Sequence, residues 1–349
     1  MSTDLYDYDI AKESYKQYIK KDHINELRWL IKDIIKPDLP YIIDEVEYCL
    51  TVLNNNEISR MPITTGGFPC DPNAPQIQGI ITRQGPYILD IQFTIKFAHY
   101  KKGQLISFRG NSDLNATVTT EKYELLQLQV TNKKLLEILK NLEDLEMIND
   151  DETFVQLFEK ILSSLTQLIN ILQNPPNELN FPFDNNSILK HFYERSYNDL
   201  CESVHHLLSL EVALSGDKFI LDFRNLDKVT KRPWCQIDPQ DGKSLVDKIK
   251  EQQRRDRGKK LEDILVESNV IVEEASLLNN LMQSTFNKES TTLQQAQFFI
   301  SRCITFDGKV ITELEKVSTS CSDQSLMNLT NKLNELEEKL GNHFNNLSI

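Results

Sequence analysis

The sequence has few of the residues that make turns and no cluster of the kind that makes disulfides or metal sites. Only 11 glycines and 12 prolines occur among 349 residues, which is too few for a large all-β fold with its many turns. Six cysteines are scattered without a close pair, at Cys49, Cys70, Cys201, Cys235, Cys303 and Cys321. This scatter argues against a disulfide framework and against a zinc cluster.

Long apolar runs and an excess of positive charge are also missing. No uncharged apolar run reaches the ~18 residues of a membrane span, and the acidic residues 1–7 lack the apolar core of a signal peptide. The net charge of -13 opposes nucleic-acid binding, because an acidic surface repels a polyanion. The composition predicts a reduced, soluble, intracellular protein, and the length favours two domains.

The sequence approaches two catalytic or metal-binding motifs and completes neither. Residues 241–244 (Asp-Gly-Lys-Ser) end like a phosphate-binding loop, but Ile237 stands where that motif needs a glycine. His205 and His206 are neighbours on a predicted helix, so they point about 100° apart and cannot share a metal. We therefore predict that the chain is not an enzyme and holds no cofactor and no metal.

One clear β signal is present. Between Leu89 and Phe97 apolar and polar residues alternate, which places one apolar face on a strand. Residues 78–83 and 104–108 indicate strands before and after it, so we predict three antiparallel strands. A weaker alternation at residues 219–223 predicts another strand, which we expect to pair with this first sheet.

Most of the remaining chain has the apolar spacing of helices. Pro37 and Pro40 are expected to end the first helix, and a long helix is expected to open at residues 119–121. That first helix spans residues 15–36, and the other predicted helices span residues 41–53, 151–172, 186–214, 259–286, 292–305, 309–317 and 323–347.

These elements predict an α+β fold, an elongated antiparallel helical bundle with an inserted small antiparallel β-domain. The helical bundle comprises residues 1–60, 119–215 and 259–349. The β-domain comprises residues 61–118 and 216–258.

The last helix is the first candidate interaction element. Its leucines recur every seven residues in two rows, Leu326, Leu333, Leu340 and Leu347 in one and Leu329 and Leu336 in the other. In this register Lys332 and Glu337 occupy positions that allow an interhelical ion pair. Three heptads are the lower limit for a coiled coil, so two alternatives stay open: packing on the chain's own bundle, or pairing with another chain.

A run of basic residues is the second candidate. Seven cations fall within thirteen residues of an acidic protein: Lys248, Lys250, Arg254, Arg255, Arg257, Lys259 and Lys260. One reading is a solvated helix or flexible linker. The other is a patch for an acidic partner surface or anionic lipid, with nuclear localisation as a minor variant.

Four short segments resemble one known family. They are residues 26–30 (Glu-Leu-Arg-Trp-Leu), 79–85 (Gly-Ile-Ile-Thr-Arg-Gln-Gly), 125–129 (Leu-Leu-Gln-Leu-Gln) and 198–204 (Asn-Asp-Leu-Cys-Glu-Ser-Val). Together, and in this order, they resemble segments of the Rogdi family. The resemblance spans residues 26 to about 204, and the C-terminal third, with the basic run and the leucine helix, matches poorly.

The resemblance implies a fungal-type relative of the smaller subunit of the RAVE complex, the regulator of the ATPases of vacuolar and endosomal membranes. Such a subunit has a helical bundle with an inserted β-domain. It is a non-enzymatic assembly factor that helps return the peripheral catalytic sector of the vacuolar proton-transporting ATPase to its membrane sector, which supports vacuolar acidification.

The partners that the resemblance implies are a large β-propeller subunit, a Skp-family adaptor and the peripheral sector of the pump. The protein would be cytoplasmic and recruited to vacuolar and endosomal membranes through them. An alternative from another class is a homodimeric coiled-coil scaffold in membrane traffic or the nucleus, which would use the leucine rows to dimerise. An enzyme is the third option.

Overall fold

The structure is a computed structural model that describes residues 21–65, 74–109, 122–193, 197–270, 272–273 and 291–347. Helices and antiparallel sheets occur together, which confirms the predicted α+β class. The helices are α1 (Lys36–Leu53), α2 (Leu126–Met147), α3 (Asp151–Gln173), α4 (Ser187–Tyr193), α5 (Tyr197–Cys201), α6 (Leu245–Arg255), α7 (Leu261–Glu267), α8 (Leu293–Arg302) and α9 (Gln324–Leu347). The strands are β1 (Ile58–Thr64), β2 (Gln76–Gln84), β3 (Tyr87–Lys96), β4 (Ile106–Phe108), β5 (Tyr123–Glu124), β6 (His206–Ser215), β7 (Lys218–Lys228), β8 (Val272–Glu273), β9 (Thr291–Thr292), β10 (Cys303–Phe306) and β11 (Lys309–Ser322).

The first helix runs through its prolines. Helical residues 21–29 lead into a π-helical stretch, Leu30–Ile35, and directly into α1. The prediction that Pro37 and Pro40 end the helix was therefore wrong. The N–H of Lys36 bonds the carbonyl five residues back, at Ile31, so the regular ladder is already shifted where the prolines enter. Packing of the buried apolar face of α1 then outweighs the local cost.

Four long helices form a bundle. α1 packs against α2 and α9, and α3 packs against the same two helices, so the four close around a common apolar centre. α3 begins where the Asp150 side chain accepts a hydrogen bond from the backbone N–H of Thr153. The helices predicted at residues 151–172 and 323–347 are confirmed. α2 begins at Leu126, and the predicted opening at residues 119–121 lies outside the described residues.

Two antiparallel sheets pack against the bundle and against each other. The first has the order β1-β2-β3-β4, with β5 also paired to β3, and confirms the predicted strands. The second has the order β10-β11-β7-β6. The prediction that residues 219–223 pair with the first sheet was wrong, because β7 pairs with β6 and β11. The two sheets meet through side chains: the ring centroid of Phe223 lies 5.0 Å from that of Phe93 on β3.

Four predicted helices are partly or wholly strands. In the predicted helix at residues 186–214, the described residues form the short helices α4 and α5 followed by β6. Residues 309–317 belong to β11, residues 303–305 to β10, and residues 272–273 of the predicted helix at 259–286 form β8. β6 is mainly apolar and has buried residues on both faces, and such a run cannot be distinguished from a buried helix by periodicity. Pairing with neighbouring strands decides the conformation, since helix and strand preferences are weak compared with tertiary contacts.

The buried apolar residues fall into two clusters. The larger joins the four-helix bundle to both sheets, and the smaller gathers α6, α7, α8 and the β10 hairpin around Trp234. Of the predicted helix at residues 259–286, α7 is present, and residues 271 and 274–286 lie outside the described part. The division into a discontinuous bundle and a β-domain stays a prediction.

Two buried carboxamides close the outer edge of β6. The Gln127 side chain donates to the carbonyl of Leu214 (3.0 Å) and accepts from its N–H (2.7 Å). Asn186 donates to the carbonyl of Leu208 (2.7 Å) and accepts from the N–H of Leu210 (3.1 Å). These side chains thus bind backbone groups at the edge of the sheet that would otherwise be free to pair with a further strand.

Gly79 is required by close backbone approach. A Cβ atom added there would lie 2.2 Å from the carbonyl oxygen of Gln92 and 2.6 Å from Cβ of Phe93, both on β3. Backbone cannot move away as a flexible side chain could, so the first glycine of the 79–85 segment has a steric role.

Candidate interaction surface

The start of α9 is fixed by a buried ion pair. Nε of Arg83 on β2 lies 2.9 Å from Oδ2 of Asp323, and the two side chains are 4% and 1% exposed. The other carboxylate oxygen accepts from the N–H groups of Ser325 (2.8 Å) and Leu326 (3.2 Å), so Asp323 also caps the helix. Arg83 further donates to the carbonyl of Gly85 and to the Ser325 hydroxyl. One arginine therefore joins the first sheet to the last helix.

The charge state of Asp323 follows from these contacts. Burial acts most strongly and favours the neutral acid. Arg83 lowers the pKa of Asp323 through its hydrogen bond and its positive charge, and the hydrogen bonds from Ser325 and Leu326 lower it as well. Together these contacts outweigh the effect of burial, so the pKa of Asp323 is below its usual value. The pair is thus ionised in the folded protein at neutral pH.

A groove opens beside this pair, between α1 and α9. It consists of two adjoining cavities of about 430 and about 610 Å³, which share Tyr48 and Asn328 in their walls. The first reaches the Arg83–Asp323 pair and Gly85, and the second continues along α9 to Glu335. The groove is therefore a continuous feature along one side of the bundle.

Ion pairs connect α1 and α9 along and beyond the groove. Nζ of Lys332 lies 2.9 Å from Glu45 on α1 and 3.1 Å from Glu335 on its own helix. Farther along, Asp38 lies 3.0 Å from Nζ of Lys339 and 2.9 Å from Nε2 of His343. Burial raises the pKa of Asp38, but the hydrogen bonds and charges of these two side chains lower it by more than burial raises it. The pKa of Asp38 is therefore below its usual value.

The leucine rows of α9 lie inside the chain's own core. All six predicted side chains are buried, at 7% exposure or less: Leu326, Leu329, Leu333, Leu336, Leu340 and Leu347. They contribute to the larger core cluster, where α9 packs against α1 and α3. The two polar residues of the predicted register pair within the chain: Lys332 with Glu45, and Glu337 with the Thr166 hydroxyl at 2.5 Å. Contact of the leucines with another chain stays a prediction.

The basic run lies on α6 and in the segment between α6 and α7, and most of its charge is paired locally. Lys248 pairs with Asp238 and, at 3.4 Å, with Asp241. Arg255 pairs with Glu251 and Lys259 with Glu267, while Lys250 donates to the carbonyl of Cys303 (2.8 Å).

The charge balance of this region is neutral. Residues 238–267 contain eight basic and eight acidic side chains. Arg254, Arg257 and Lys260 are exposed and form no ion pair among the described residues. Three cations of the run therefore have no acidic partner among the described residues, whereas Arg255 and Lys259 each pair with a nearby glutamate.

Four buried thiols are poorly suited to nucleophilic chemistry. Burial raises the pKa of Cys49 and Cys201 to about 12, and that of Cys303 and Cys321 to about 11. At neutral pH these groups are protonated, and the thiolate is the reactive form. Cys70 lies outside the described residues. Within the described ranges, no group of three His, Cys, Asp or Glu side chains could hold a metal ion.

Sequence reasoning missed the Arg83–Asp323 pair, although one signal for it exists. In β2 the inward positions alternate through Ile77, Gly79 and Ile81 to Arg83, so the arginine falls on the buried face. A buried arginine needs an acidic partner. Asp323, directly before a helix and two residues before Ser325, has the sequence signature of a cap, but its distance of 240 residues from Arg83 hides the pairing.

Comparisons with known proteins cover nearly the whole chain. The family model described as "Rogdi leucine zipper containing protein" matches residues 26–348. The chain is 38% identical over 353 residues, 99% of this chain and 97% of the relative, to "Regulator of V-ATPase in vacuolar membrane protein 2" of Saccharomyces cerevisiae. The match extends through the C-terminal third, which the short segments alone did not reach. No helix in the described part of the chain is long and apolar enough to cross a membrane. The chain belongs to the Rogdi leucine zipper family.

Proposed function

We propose that this chain is a non-enzymatic assembly factor of the vacuolar proton-transporting ATPase. It acts as the smaller subunit of a RAVE complex and promotes reassembly of the peripheral catalytic sector with the membrane sector. The observation that carries the proposal is 38% identity, across 99% of the chain, to a protein named as a regulator of V-ATPase in the vacuolar membrane. The expected consequence is support of vacuolar acidification.

The proposed partners are a large β-propeller subunit, a Skp-family adaptor and the peripheral sector of the pump. The helical bundle docks the large partner, and the β-domain and the basic run present secondary surfaces. The exposed cations Arg254, Arg257 and Lys260 support a role of the basic run in binding, because their charges have no partner among the described side chains. The protein is cytoplasmic and reaches vacuolar and endosomal membranes through its partners.

The homodimeric scaffold has less support. It would use the leucine rows of α9, and those leucines would first have to leave the chain's own core, where Leu329, Leu333 and Leu336 are fully buried. Exposing such side chains costs roughly 2 kcal/mol each.

The test is complementation. The chain is expressed in Saccharomyces cerevisiae cells that lack the related regulator, and vacuolar pH is measured with a ratiometric dye. We expect restored acidification and co-purification of peripheral-sector subunits with the chain. The related regulator itself is the positive control. Stable expression without acidification and without any pump subunit in the purified fraction would contradict the proposal.

A further inference from the structure

The groove between α1 and α9 combines an apolar centre with an acidic rim. Tyr48 and Ile58 are 50% and 58% exposed, and both line the groove together with Val52. The rim carries Glu57 at one end and Asp44 at the other. Large apolar side chains surrounded by polar ones are the usual anatomy of a protein-binding surface.

The charge of the groove is strongly unbalanced. Five acidic side chains line it, Asp44, Glu45, Glu57, Asp323 and Glu335, and two basic ones, Arg83 and Lys332. Arg83 is already used by the buried pair and Lys332 is shared by two carboxylates. Asp44 and Glu57 form no ion pair among the described residues. Three negative charges therefore remain for an occupant.

The dimensions of the groove suit a short helix. From Asp323 to Glu335 the wall follows α9 for roughly 18 Å at the helical rise per residue. Tyr41, 66% exposed and two helical turns before Tyr48 on α1, continues the apolar track beyond the second cavity. Tyrosine is a frequent anchor of protein interfaces, since it buries a large area at small entropic cost.

We propose that this groove binds a helical segment of a partner protein that is apolar on one face and basic on its flanks. Apolar side chains of that segment pack on Tyr48 and Ile58, and its lysines or arginines meet Asp44, Glu57 and Glu335. Such binding is the helix-in-groove mode of peptide recognition. It deepens the proposed function, on which it rests, by assigning the bundle a defined docking surface and its partner a defined chemistry.

The first test is a titration of the full chain with a labelled synthetic helix. The probe is a peptide of about 14 residues, three to four turns, with leucines at helical spacing on one face and lysines elsewhere. A second peptide has glutamate in place of every lysine. We expect the lysine peptide to bind, with affinity that falls as salt rises, and the glutamate peptide not to bind.

Matched variants test whether the peptide binds in the groove. Tyr48→Ala and Asp44→Lys are each expected to weaken the lysine peptide about tenfold. Their controls are Leu136→Ala, a side chain 52% exposed on α2, and Glu143→Lys, an exposed acid on the same helix. All four positions are at the surface, and unchanged thermal unfolding checks that each variant is folded. Equal loss in the groove and control variants would show general attraction to an acidic protein and would overturn the proposal.

A second test identifies the natural occupant. A photo-crosslinking phenylalanine analogue replaces Tyr48 in the full chain within cells, and the crosslinked peptide is sequenced. A basic amphipathic segment supports the proposal, while an acidic segment, a lipid or a second copy of this chain overturns it. The complementation assay distinguishes failure of the groove proposal from failure of the proposed function. Failure of the groove tests with restored acidification rejects the groove alone, whereas absence of acidification by the unaltered chain rejects the proposed function.

Discussion

The first half of α9, residues 323–335, and the α6–α7 region both carry clusters of charged side chains, but the charges are paired in different ways. In the first half of α9 the paired residues are far apart in sequence, 240 residues for Arg83 and Asp323 and 287 for Glu45 and Lys332. In the α6–α7 region they are close, four residues for Glu251 and Arg255 and eight for Lys259 and Glu267.

The difference teaches where charge contributes to the fold. Exposed ion pairs between residues close in sequence stabilise the fold little, because water and salt screen them and ordering two long side chains costs entropy. The Arg83–Asp323 pair is shielded from water, so removing one partner leaves an uncompensated charge in the core. The ion pairs of the first half of α9 are therefore structural, whereas those of the basic run lie at the surface and contribute little to the fold. Four predictions test this contrast, from the largest expected effect to the smallest.

The first prediction concerns the buried pair. Arg83→Met leaves Asp323 charged and buried without its cation, and we expect the free energy of unfolding to fall by about 3–5 kcal/mol. Urea denaturation measures the loss. Arg60→Met, at an exposed position of β1, is the matched control and should leave the midpoint unchanged. Adding Asp323→Asn to Arg83→Met should recover part of the loss, since the amide oxygen can still cap α9.

The second prediction concerns the leucine rows. Leu336→Ala should lower the free energy of unfolding by about 2–5 kcal/mol, because it opens a cavity in the core. The loss should be independent of protein concentration, since the contacts lie within one chain. Asn334→Ala, on the exposed side of α9, serves as the control. An unfolding midpoint that rises with protein concentration would instead indicate a seam shared between two chains.

The third prediction concerns acid. The pKa of Asp323 is lower in the folded protein than in the unfolded chain. The ionised form therefore stabilises the fold above the unfolded-state pKa of about 4, and this contribution disappears as pH falls through the folded-state pKa. Stability measured by urea denaturation should decline from about pH 5 downward. The decline should be shallower in Asp323→Asn, whereas Asp144→Asn, at an exposed position of α2, should retain the wild-type slope.

The fourth prediction concerns the basic run. Arg255→Ala removes an exposed pair within one helix, where the arginine side chain is 74% exposed. We expect no measurable shift of the urea midpoint. The triple change Arg254→Ala, Arg257→Ala and Lys260→Ala should likewise leave stability unchanged, and should weaken binding if the run contacts a partner. A large loss of stability in either variant would remove the distinction between the two regions.

Much of the fold was predictable because its signals are local. The alternation from Leu89 to Phe97 specifies one face of a strand, and the apolar spacing of residues 151–172 and 323–347 specifies one face of a helix. The predicted candidates were less complete. The leucine rows of α9 and the basic run were identified, but the groove beside Tyr48 was not, because its walls come from α1, β1, β2 and α9.

By itself the sequence determined the α+β class, the long helices of the bundle, the inner strand of the first sheet and the segments that mark the family. Each depends on periodicity or on neighbouring residues, which a chain carries in its order. Only the tertiary structure decided that the helix continues through Pro37 and Pro40, that residues 206–215 and 309–322 are strands, and that Arg83 meets Asp323. In those places the local preference is weak or opposed, and partners distant along the chain supply the free energy that selects the conformation.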